Sequence, residues 1–111
     1  MLILILFNLK PGVEPSDYEN WLKEIDLPTS AQLSSVQSYS VFRLGPCPGE
    51  VASLPYQYAE LVELVSWEQF ETESAGEIAQ RLSHQWSQFA SDPVIMVMNS
   101  LGTVKKSNGE R

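Results

Sequence analysis

The predicted fold of this chain depends most on one segment, Pro55-Tyr56-Gln57-Tyr58-Ala59-Glu60-Leu61-Val62-Glu63-Leu64-Val65. β-branched and aromatic residues dominate it and a proline opens it, a pattern typical of a β-strand. Alternation along a strand places Tyr56, Tyr58, Glu60, Val62 and Leu64 on one face. A carboxylate on such a face must be solvated, paired or functional, because burying it alone is costly. Glu60 is therefore the first candidate functional residue.

Three further strands are predicted around this segment. Leu2 to Leu9 is apolar on both faces, which is typical of a central strand covered on both sides. Val36 to Leu44 mixes polar and apolar residues on both faces, which favours an edge strand. The fourth strand starts at Val94 and ends near Leu101.

Two helices with apolar stripes separate these strands. The first is predicted to begin with a capping box of Ser16 and Glu19 and to end at Asp26-Leu27-Pro28. Its inward face would carry Tyr18, Trp21, Leu22 and Ile25. The second is predicted from Glu77 to Ser91, with Ile78, Leu82, Trp86 and Phe89 inward and Asp92-Pro93 as its end. A short helix capped by Ser66, with Trp67 and Phe70 turned inward, precedes it.

The resulting order β-α-β-β-α-β predicts the α+β, ferredoxin-like split fold, a four-stranded antiparallel sheet with two helices on one face. We expect one domain over residues 1–101 and a flexible polar tail over residues 102–111. Two helices cover one face only, although strands one and four are apolar on both. A homodimer formed through the second sheet face is the simplest cover. The alternative is a monomer shielded by its own loop and tail.

The composition limits the partners and the compartment. The 111 residues carry a net charge of −7, which disfavours nucleic acids and anionic membrane surfaces. The lone Cys47, in the connection 45–54, cannot form an internal disulfide, which suits a reducing cytoplasm. The apolar run at the N-terminus ends after seven residues, too short to cross a membrane.

Signatures of the common cofactor and metal sites are missing from the sequence. His84 is the single histidine, predicted to face solvent, and no paired-cysteine or His-x-x-Glu spacing occurs. No phosphate-binding glycine loop, dinucleotide fingerprint or Ser-His-Asp arrangement is present. We therefore predict no metal and no cofactor, which leaves a cofactor-free enzyme or a binding protein.

The candidate site residues are polar groups within apolar strands. Asn8 and Asn99 close strands one and four. Tyr39 and Arg43 share a face of strand two, and Tyr58 and Glu60 share a face of strand three. If the register of these strands aligns the two pairs, they form one polar and aromatic cluster. One interpretation is a structural ion pair between Arg43 and Glu60, and the other is a pocket for a flat ligand.

The order and spacing of several motifs resemble the REDY-like (HapK-type) protein family. They are Leu9-Lys10-Pro11-Gly12-Val13, Asp17-Tyr18-Glu19-x-Trp21, Asp26-x-Pro28, Ser35-Val36-x-Ser38-Tyr39-x-Val41-x-Arg43 and Pro55-Tyr56-x-Tyr58-x-Glu60. The resemblance covers most of residues 1–101 and implies a dimeric α+β barrel. It also implies an association with biosynthesis of red tripyrrole pigments of the prodigiosin type. It implies no catalytic residue.

The leading hypothesis is a homodimeric barrel that binds a flat, apolar biosynthetic intermediate. Tyr39, Tyr58, Asn8 and Asn99 would bind it, Arg43 would orient a polar group, and Glu60 would act as general base. The reaction would be cofactor-free, of a monooxygenase, isomerase or condensation type. The alternative is a non-catalytic accessory or regulatory binding protein.

Overall fold

The computed structural model describes residues 1–107 as a four-stranded antiparallel sheet with helices packed on one face. The strands are β1 (Leu2–Leu9), β2 (Val36–Arg43), β3 (Tyr58–Leu64) and β4 (Ala90–Met98). The helices are α1 (Pro15–Trp21), α2 (Leu27–Ser30), α3 (Trp67–Ser74) and α4 (Glu77–Trp86), and a π-helical turn (Leu22–Asp26) joins α1 to α2. The predicted α+β, ferredoxin-like fold is confirmed.

The order of strands across the sheet is β2-β3-β1-β4. The apolar strands β1 and β3 are central and β2 lies at an edge, as their sequences predicted. In the β2–β3 register, Tyr39 lies opposite Val62, Val41 opposite Glu60, and Arg43 opposite Tyr58. Directly opposite residues project from the same face. This register places the four polar side chains predicted for strands two and three on one face.

The start of α1 differs from the prediction. The helix begins at Pro15, and Glu14 occupies the N-cap position without a side-chain hydrogen bond. The predicted capping box of Ser16 and Glu19 is wrong. Proline suits the first helical position because its backbone angle is already helical and it lacks an N–H that would be unpaired there. Glu19 is left free to bind a side chain of the sheet.

The predicted helix end at Pro28 is also wrong. The chain continues through the π-helical turn, in which the Leu27 N–H donates to the Leu22 carbonyl, into α2, where Pro28 occupies the first turn. A π-helical turn contains more residues than an α-helical one, so it rotates the side chains that follow. Leu22 and Asp26 are buried as a result, whereas Ile25, predicted to face inward, is 42% exposed.

In the second half of the chain, one predicted helix cap is confirmed and several boundaries of helices and strands differ from the prediction. Ser66 caps α3, since its hydroxyl accepts from the Gln69 N–H at 3.1 Å, but Trp67 is 46% exposed rather than inward. α4 ends at Trp86, and β4 already begins at Ala90. Asp92-Pro93 therefore lies within β4 instead of ending a helix.

β4 accommodates its proline at an irregularity. Asp92 has a φ of 52°, and the pairing of β4 with β1 shifts between Leu6 and Asn8. Proline in a sheet is confined to edge strands and bulges because it cannot donate a hydrogen bond. The early start of β4 thus depends on this local kink.

The core lies between the sheet and the helices around an aromatic cluster. Phe7 and Tyr58 stack with ring centroids 5.5 Å apart, and Tyr18 meets Tyr58 edge-on at 4.9 Å. Tyr18 and Phe7 are fully buried. These contacts hold α1 against the two central strands and fix the position of the π-helical turn that follows.

The opposite side of the sheet, named here the open sheet face, carries the apolar side chains of Leu4, Leu6, Phe42, Leu61, Val94 and Met96 and the polar side chains of Ser40 and Glu63. Phe42 and Val94 are 50% and 40% exposed. In residues 102–107, the described part of the predicted tail, the chain is exposed and has no regular structure, and residues 108–111 lie outside the description. No helix within residues 1–107 is long and apolar enough to cross a membrane.

Candidate functional site

A cavity of about 300 Å³ lies between the sheet and the helices, and we call it the helix–sheet cavity. Its apolar wall includes Val62 on β3, Phe70 on α3, and Leu82 and Trp86 on α4. Its polar wall combines Asp26, Tyr39 and Glu60, which come from the π-helical turn, β2 and β3. An apolar cavity with a few convergent polar groups is the usual form of a small-molecule site.

The three polar residues form one connected group. The Tyr39 hydroxyl donates to Asp26 Oδ2 at 2.6 Å and lies 3.1 Å from Glu60 Oε2. The Ser30 hydroxyl donates to Asp26 Oδ1 at 3.3 Å. A phenol has one hydrogen, so it cannot donate fully to two carboxylates at once. The arrangement is satisfied when Tyr39 donates to Asp26 and a protonated Glu60 donates to Tyr39.

Burial explains why a proton is retained in this group. Asp26 and Glu60 are each only 5% exposed. Burial, reinforced by the nearby Asp26 carboxylate, raises the pKa of Glu60 to about 7. Burial also raises the pKa of Asp26, although hydrogen bonds from Tyr39 and Ser30 oppose the rise. Glu60 therefore populates both protonation states near neutral pH.

Two hydrogen-bonding groups beside these acids lack a partner among the described residues. They are the indole N–H of Trp86 and the hydroxyl of Tyr18, both at buried atoms. The Trp86 N–H opposes the rise in the pKa of Glu60, yet makes no hydrogen bond of normal geometry. Buried donors are seldom left unpaired, so Trp86 offers an unused donor at the cavity wall.

The sequence-predicted partner of Glu60, Arg43, lies elsewhere. Its guanidinium binds Glu19 on α1 through two nitrogen atoms, with Nε 3.0 Å from Oε2. The Tyr58 hydroxyl donates to the same Glu19 oxygen at 2.7 Å. The predicted Arg43–Glu60 pair is therefore wrong. Although Arg43 and Glu60 share a face, Glu19 reaches Arg43 from the helix layer above the sheet.

Around this second cluster lies another pocket of about 500 Å³. Glu19, Arg43 and Tyr58 form one side, and the 45–54 connection forms the other through residues such as Pro46 and Leu54. The Arg43 side chain is 69% exposed. Because an exposed ion pair is well solvated, this pocket lacks the strong electrostatics of the buried acids.

Asn8 and Asn99 are at opposite ends of the sheet, because β1 and β4 are antiparallel. Asn8 fixes the start of β3: its side chain donates to the Pro55 carbonyl and accepts from the Gln57 N–H, both at 3.0 Å. Asn99 follows β4 and is exposed. Neither residue lines the helix–sheet cavity.

A third acidic residue, Glu73, connects α3 to the segment before β2. Its carboxylate accepts hydrogen bonds from the backbone and hydroxyl groups of Ser34 and Ser35. Ser35, through its side chain and then its backbone, lowers the pKa of Glu73 to about 2. This contact ties α3, which carries the lining residue Phe70, to the start of β2.

Sequence reasoning placed Tyr39 and Glu60 in the site but missed Asp26 and Trp86. Asp26 was assigned to a helix end next to Pro28, a position where a buried acid is not expected. Its only sequence signal was a position eight residues after Tyr18, which continues the apolar stripe if the helix does not stop. Trp86 was assigned to the core by its helical spacing, which does not reveal an unpaired N–H.

The family model for the REDY-like protein HapK matches residues 1–101. The chain belongs to this family. The resemblance predicted from the sequence motifs is thereby confirmed. Among curated proteins, no sequence matches the chain significantly.

Solved structures share the fold at low sequence identity. HapK from Hahella chejuensis superposes with a TM-score of 0.72 at 20% identity, covering 96% of this chain and 100% of that one. A dimeric ferredoxin-like protein from Thermobifida fusca gives 0.65 at 17% identity, covering 86% and 85%. SnoaB from Streptomyces nogalater, a cofactor-independent oxygenase, gives 0.70 at 8% identity, covering 95% and 96%. These likenesses establish the ferredoxin-like fold of this chain.

Proposed function

We propose that this protein binds a flat, apolar small molecule in the helix–sheet cavity and transfers a proton to or from it without a cofactor. One observation carries the proposal: the Tyr39 hydroxyl connects two buried acids, Asp26 and Glu60, at the wall of an apolar cavity. Acids with displaced pKa values concentrate in functional sites, where the chemistry offsets their unfavourable burial.

Glu60 is the proposed general base. Its pKa of about 7 makes the carboxylate available at neutral pH and strong enough to accept a proton from carbon, nitrogen or oxygen. Tyr39 and Asp26 position Glu60 and stabilise its protonated form through the hydrogen-bonded chain. The unpaired Trp86 N–H would donate to an acceptor atom of the ligand and orient it. Arg43, Asn8 and Asn99 lie outside the cavity, and we assign them no part in proton transfer.

Exchange of hydrogen for deuterium in a simple ketone tests this proposal. 2-Tetralone is a fused-ring ketone with acidic C–H groups beside its carbonyl, and NMR in D₂O follows their loss. We expect the protein to accelerate exchange, with a rate that rises with pH through about 7 as Glu60 ionises. Glu60→Gln should abolish the acceleration. Glu68→Gln removes the same charge from an exposed position on α3 and should leave it intact.

The outcomes separate an enzyme from a binding protein. Acceleration that survives Glu60→Gln would show that Glu60 is not the base. Saturable binding of 2-tetralone without any exchange would contradict proton transfer and favour the alternative of an accessory binding protein.

We also propose that the protein is a homodimer joined through the open sheet face. The support is the exposed apolar surface at Phe42 and Val94, together with dimeric ferredoxin-like proteins among the structures that share its fold. Light scattering should give twice the chain mass for the wild type and the chain mass for Phe42→Lys with Val94→Lys. Trp67→Lys is the matched control, since Trp67 is equally exposed but lies on α3. A monomeric wild type would overturn this proposal.

The proposed setting is cytoplasmic biosynthesis of secondary metabolites of the prodigiosin type. Its support is membership of the REDY-like HapK family over residues 1–101. Mass spectrometry of protein isolated from its native host should then detect a bound pyrrole-containing intermediate. Isolation with only fatty acids or other unrelated metabolites would contradict this setting.

A further inference from the structure

The helix–sheet cavity carries negative charge without a compensating cation. Its lining residues all lie in the described part of the chain, and they include the acids Asp26 and Glu60 but no Lys, Arg or His. Arg43 on the same sheet face is bound to Glu19 and lines the other pocket. Buried acids are normally paired with a cation or neutralised by a proton. In the empty protein, the proton shared through Tyr39 is the only neutralising charge available.

The groups that surround Glu60 on the neighbouring elements also provide no positive charge. Its neighbours on β1 and β2, Ile5 and Val41, are uncharged. The helical side contributes Asp26, Tyr18 and Trp86, and β2 adds Tyr39. None of these can carry a positive charge. A positive charge that balances the site must come from the ligand.

We propose that the ligand is an apolar cation, an iminium or protonated nitrogen heterocycle whose N–H groups donate to Asp26 and Glu60. This inference rests on the proposed function and names the ligand class for the same cavity. Binding replaces the retained proton: the cation enters, Glu60 releases its proton to solvent, and the Glu60 carboxylate pairs with the ligand. The apolar wall formed by Val62, Phe70 and Leu82 covers the rest of the ring system.

A cationic ligand is also compatible with the proposed proton transfer to Glu60. When the Glu60 carboxylate removes a proton from carbon beside an iminium group, the C–H bond electrons form a new C=C bond. The π electrons of the C=N bond become the nitrogen lone pair, so the iminium becomes a neutral enamine. Glu60 becomes a neutral acid in the same step. The Glu60–ligand pair thus passes from two opposite charges to none, and the net charge of the cavity is the same before and after the step.

A matched pair of fused-ring probes tests the inference. 4-Aminoquinoline is a cation at neutral pH, and 1-aminonaphthalene has nearly the same shape but is neutral. Calorimetric titration of the full chain at physiological salt, which screens its net charge of −7, gives both affinities. We expect the cation to bind at least about tenfold more tightly, as expected for a desolvated charge pair. Glu60→Gln and Asp26→Asn should remove this preference, and Glu68→Gln should retain it.

Proton release provides a second measurement that needs no variant. Titrations in buffers of different ionisation enthalpy should show release of about one proton per cation bound at pH 6 and much less at pH 8, because Glu60 is already ionised there. The affinity for 4-aminoquinoline should therefore rise from pH 6 to pH 8. The neutral probe should show neither effect.

The other possible outcomes contradict either the cation inference alone or the proposed function as well. Equal binding of the two probes would overturn the cation inference while leaving the apolar ligand site of the proposed function standing. A preference that persists in Glu60→Gln and Asp26→Asn, or binding without proton release at pH 6, would place the cation elsewhere on the acidic surface. Failure of both probes and of 2-tetralone to bind would overturn the inference and the proposed function together.

Discussion

On one face of the sheet, Tyr39 and Tyr58 each contact a glutamate, Glu60 of β3 and Glu19 of α1, and the two carboxyl groups have opposite electrostatic environments. At the first, the Tyr39 hydroxyl lies between Glu60 and Asp26, both buried. At the second, Tyr58 donates to Glu19, which also binds Arg43 near the surface. Hydrogen bonds from Arg43 and then Tyr58 lower the pKa of Glu19, whereas burial raises that of Glu60. The first pair is neutralised by a proton and the second by a guanidinium.

The difference shows that chemically similar pairs on one sheet face serve different purposes. The Glu19–Arg43 pair fastens α1 to the edge strand, and its charges are already balanced. The Glu60–Asp26 pair is unbalanced, costs stability when ionised and faces a cavity. A site that costs stability is expected where a ligand or a reaction provides the compensating interaction.

The largest predicted effect concerns Glu60→Gln. The pKa of Glu60 rises from 4.5 in the unfolded chain to about 7 in the folded protein, so ionisation of Glu60 destabilises the fold increasingly as pH rises through this range. Above pH 8 the substitution should raise the free energy of unfolding by about 3 kcal/mol. Below pH 4 the gain should vanish.

Urea unfolding of wild type, Glu60→Gln and Glu68→Gln at several pH values measures this difference. Glu68 is exposed on α3, so its substitution should change stability little at any pH. A Glu60→Gln protein less stable than wild type at pH 8 would show that the carboxylate is a stabilising partner in the fold.

Removal of the two tyrosine hydroxyls compares the clusters directly. Tyr39→Phe leaves Asp26 and Glu60 without their common partner in a buried position, and we expect a loss of about 2 kcal/mol at pH 7. Tyr58→Phe leaves Glu19 bound to Arg43, so the loss should be about 0.5 kcal/mol. Thermal denaturation of both variants checks the order, and equal losses would mean that the clusters do not differ as described.

Glu73 extends the comparison to an acid held entirely by hydrogen bonds. Its pKa is lowered to about 2, so the stability it provides is complete above the unfolded value of 4.5 and is lost as pH falls towards 2. Glu73→Gln should cost about 1.5 kcal/mol at pH 6, after allowance for its partly exposed position. The difference from wild type should shrink at pH 3, and Glu71→Gln, an exposed neighbour, is the control.

The smallest effect is expected for Arg43→Met. This exposed side chain makes a surface ion pair, so its loss should reduce stability only slightly. Binding of 4-aminoquinoline in the helix–sheet cavity should be unchanged. A tenfold loss of that affinity would show that Arg43 takes part in ligand binding. The two clusters would then not have separate roles.

The sequence was sufficient for the fold because strand periodicity and burial are local signals. Two apolar strands, an edge strand and two apolar helical stripes led to the correct order of elements and to central positions for β1 and β3. Alternation along the strands also predicted that Tyr39 and Arg43 share a face of β2 and that Tyr58 and Glu60 share a face of β3. The observed register places all four on the same face of the sheet.

The site was only partly predictable because its contacts arise between layers. The partner of Arg43 is Glu19, a helical residue whose position over β2 depends on the packing of α1. Asp26 reaches Tyr39 through a π-helical turn, and nothing in the composition of Leu22–Asp26 distinguishes that turn from an ordinary helix. Interactions of this kind depend on geometry that a one-dimensional pattern does not contain.

The kink at Asp92-Pro93 has a consequence for solubility. β4 is the outer strand beyond β1, so one row of its backbone N–H and C=O groups faces away from the sheet. The exposed side chains of Ile95 and Val97 make this edge attractive to another unpaired strand. Pro93 removes one donor, and the left-handed backbone of Asp92 bends the strand there. The part of this edge that can pair with a strand of another molecule is therefore limited to Val94–Met98. This limit reduces the tendency of the protein to aggregate.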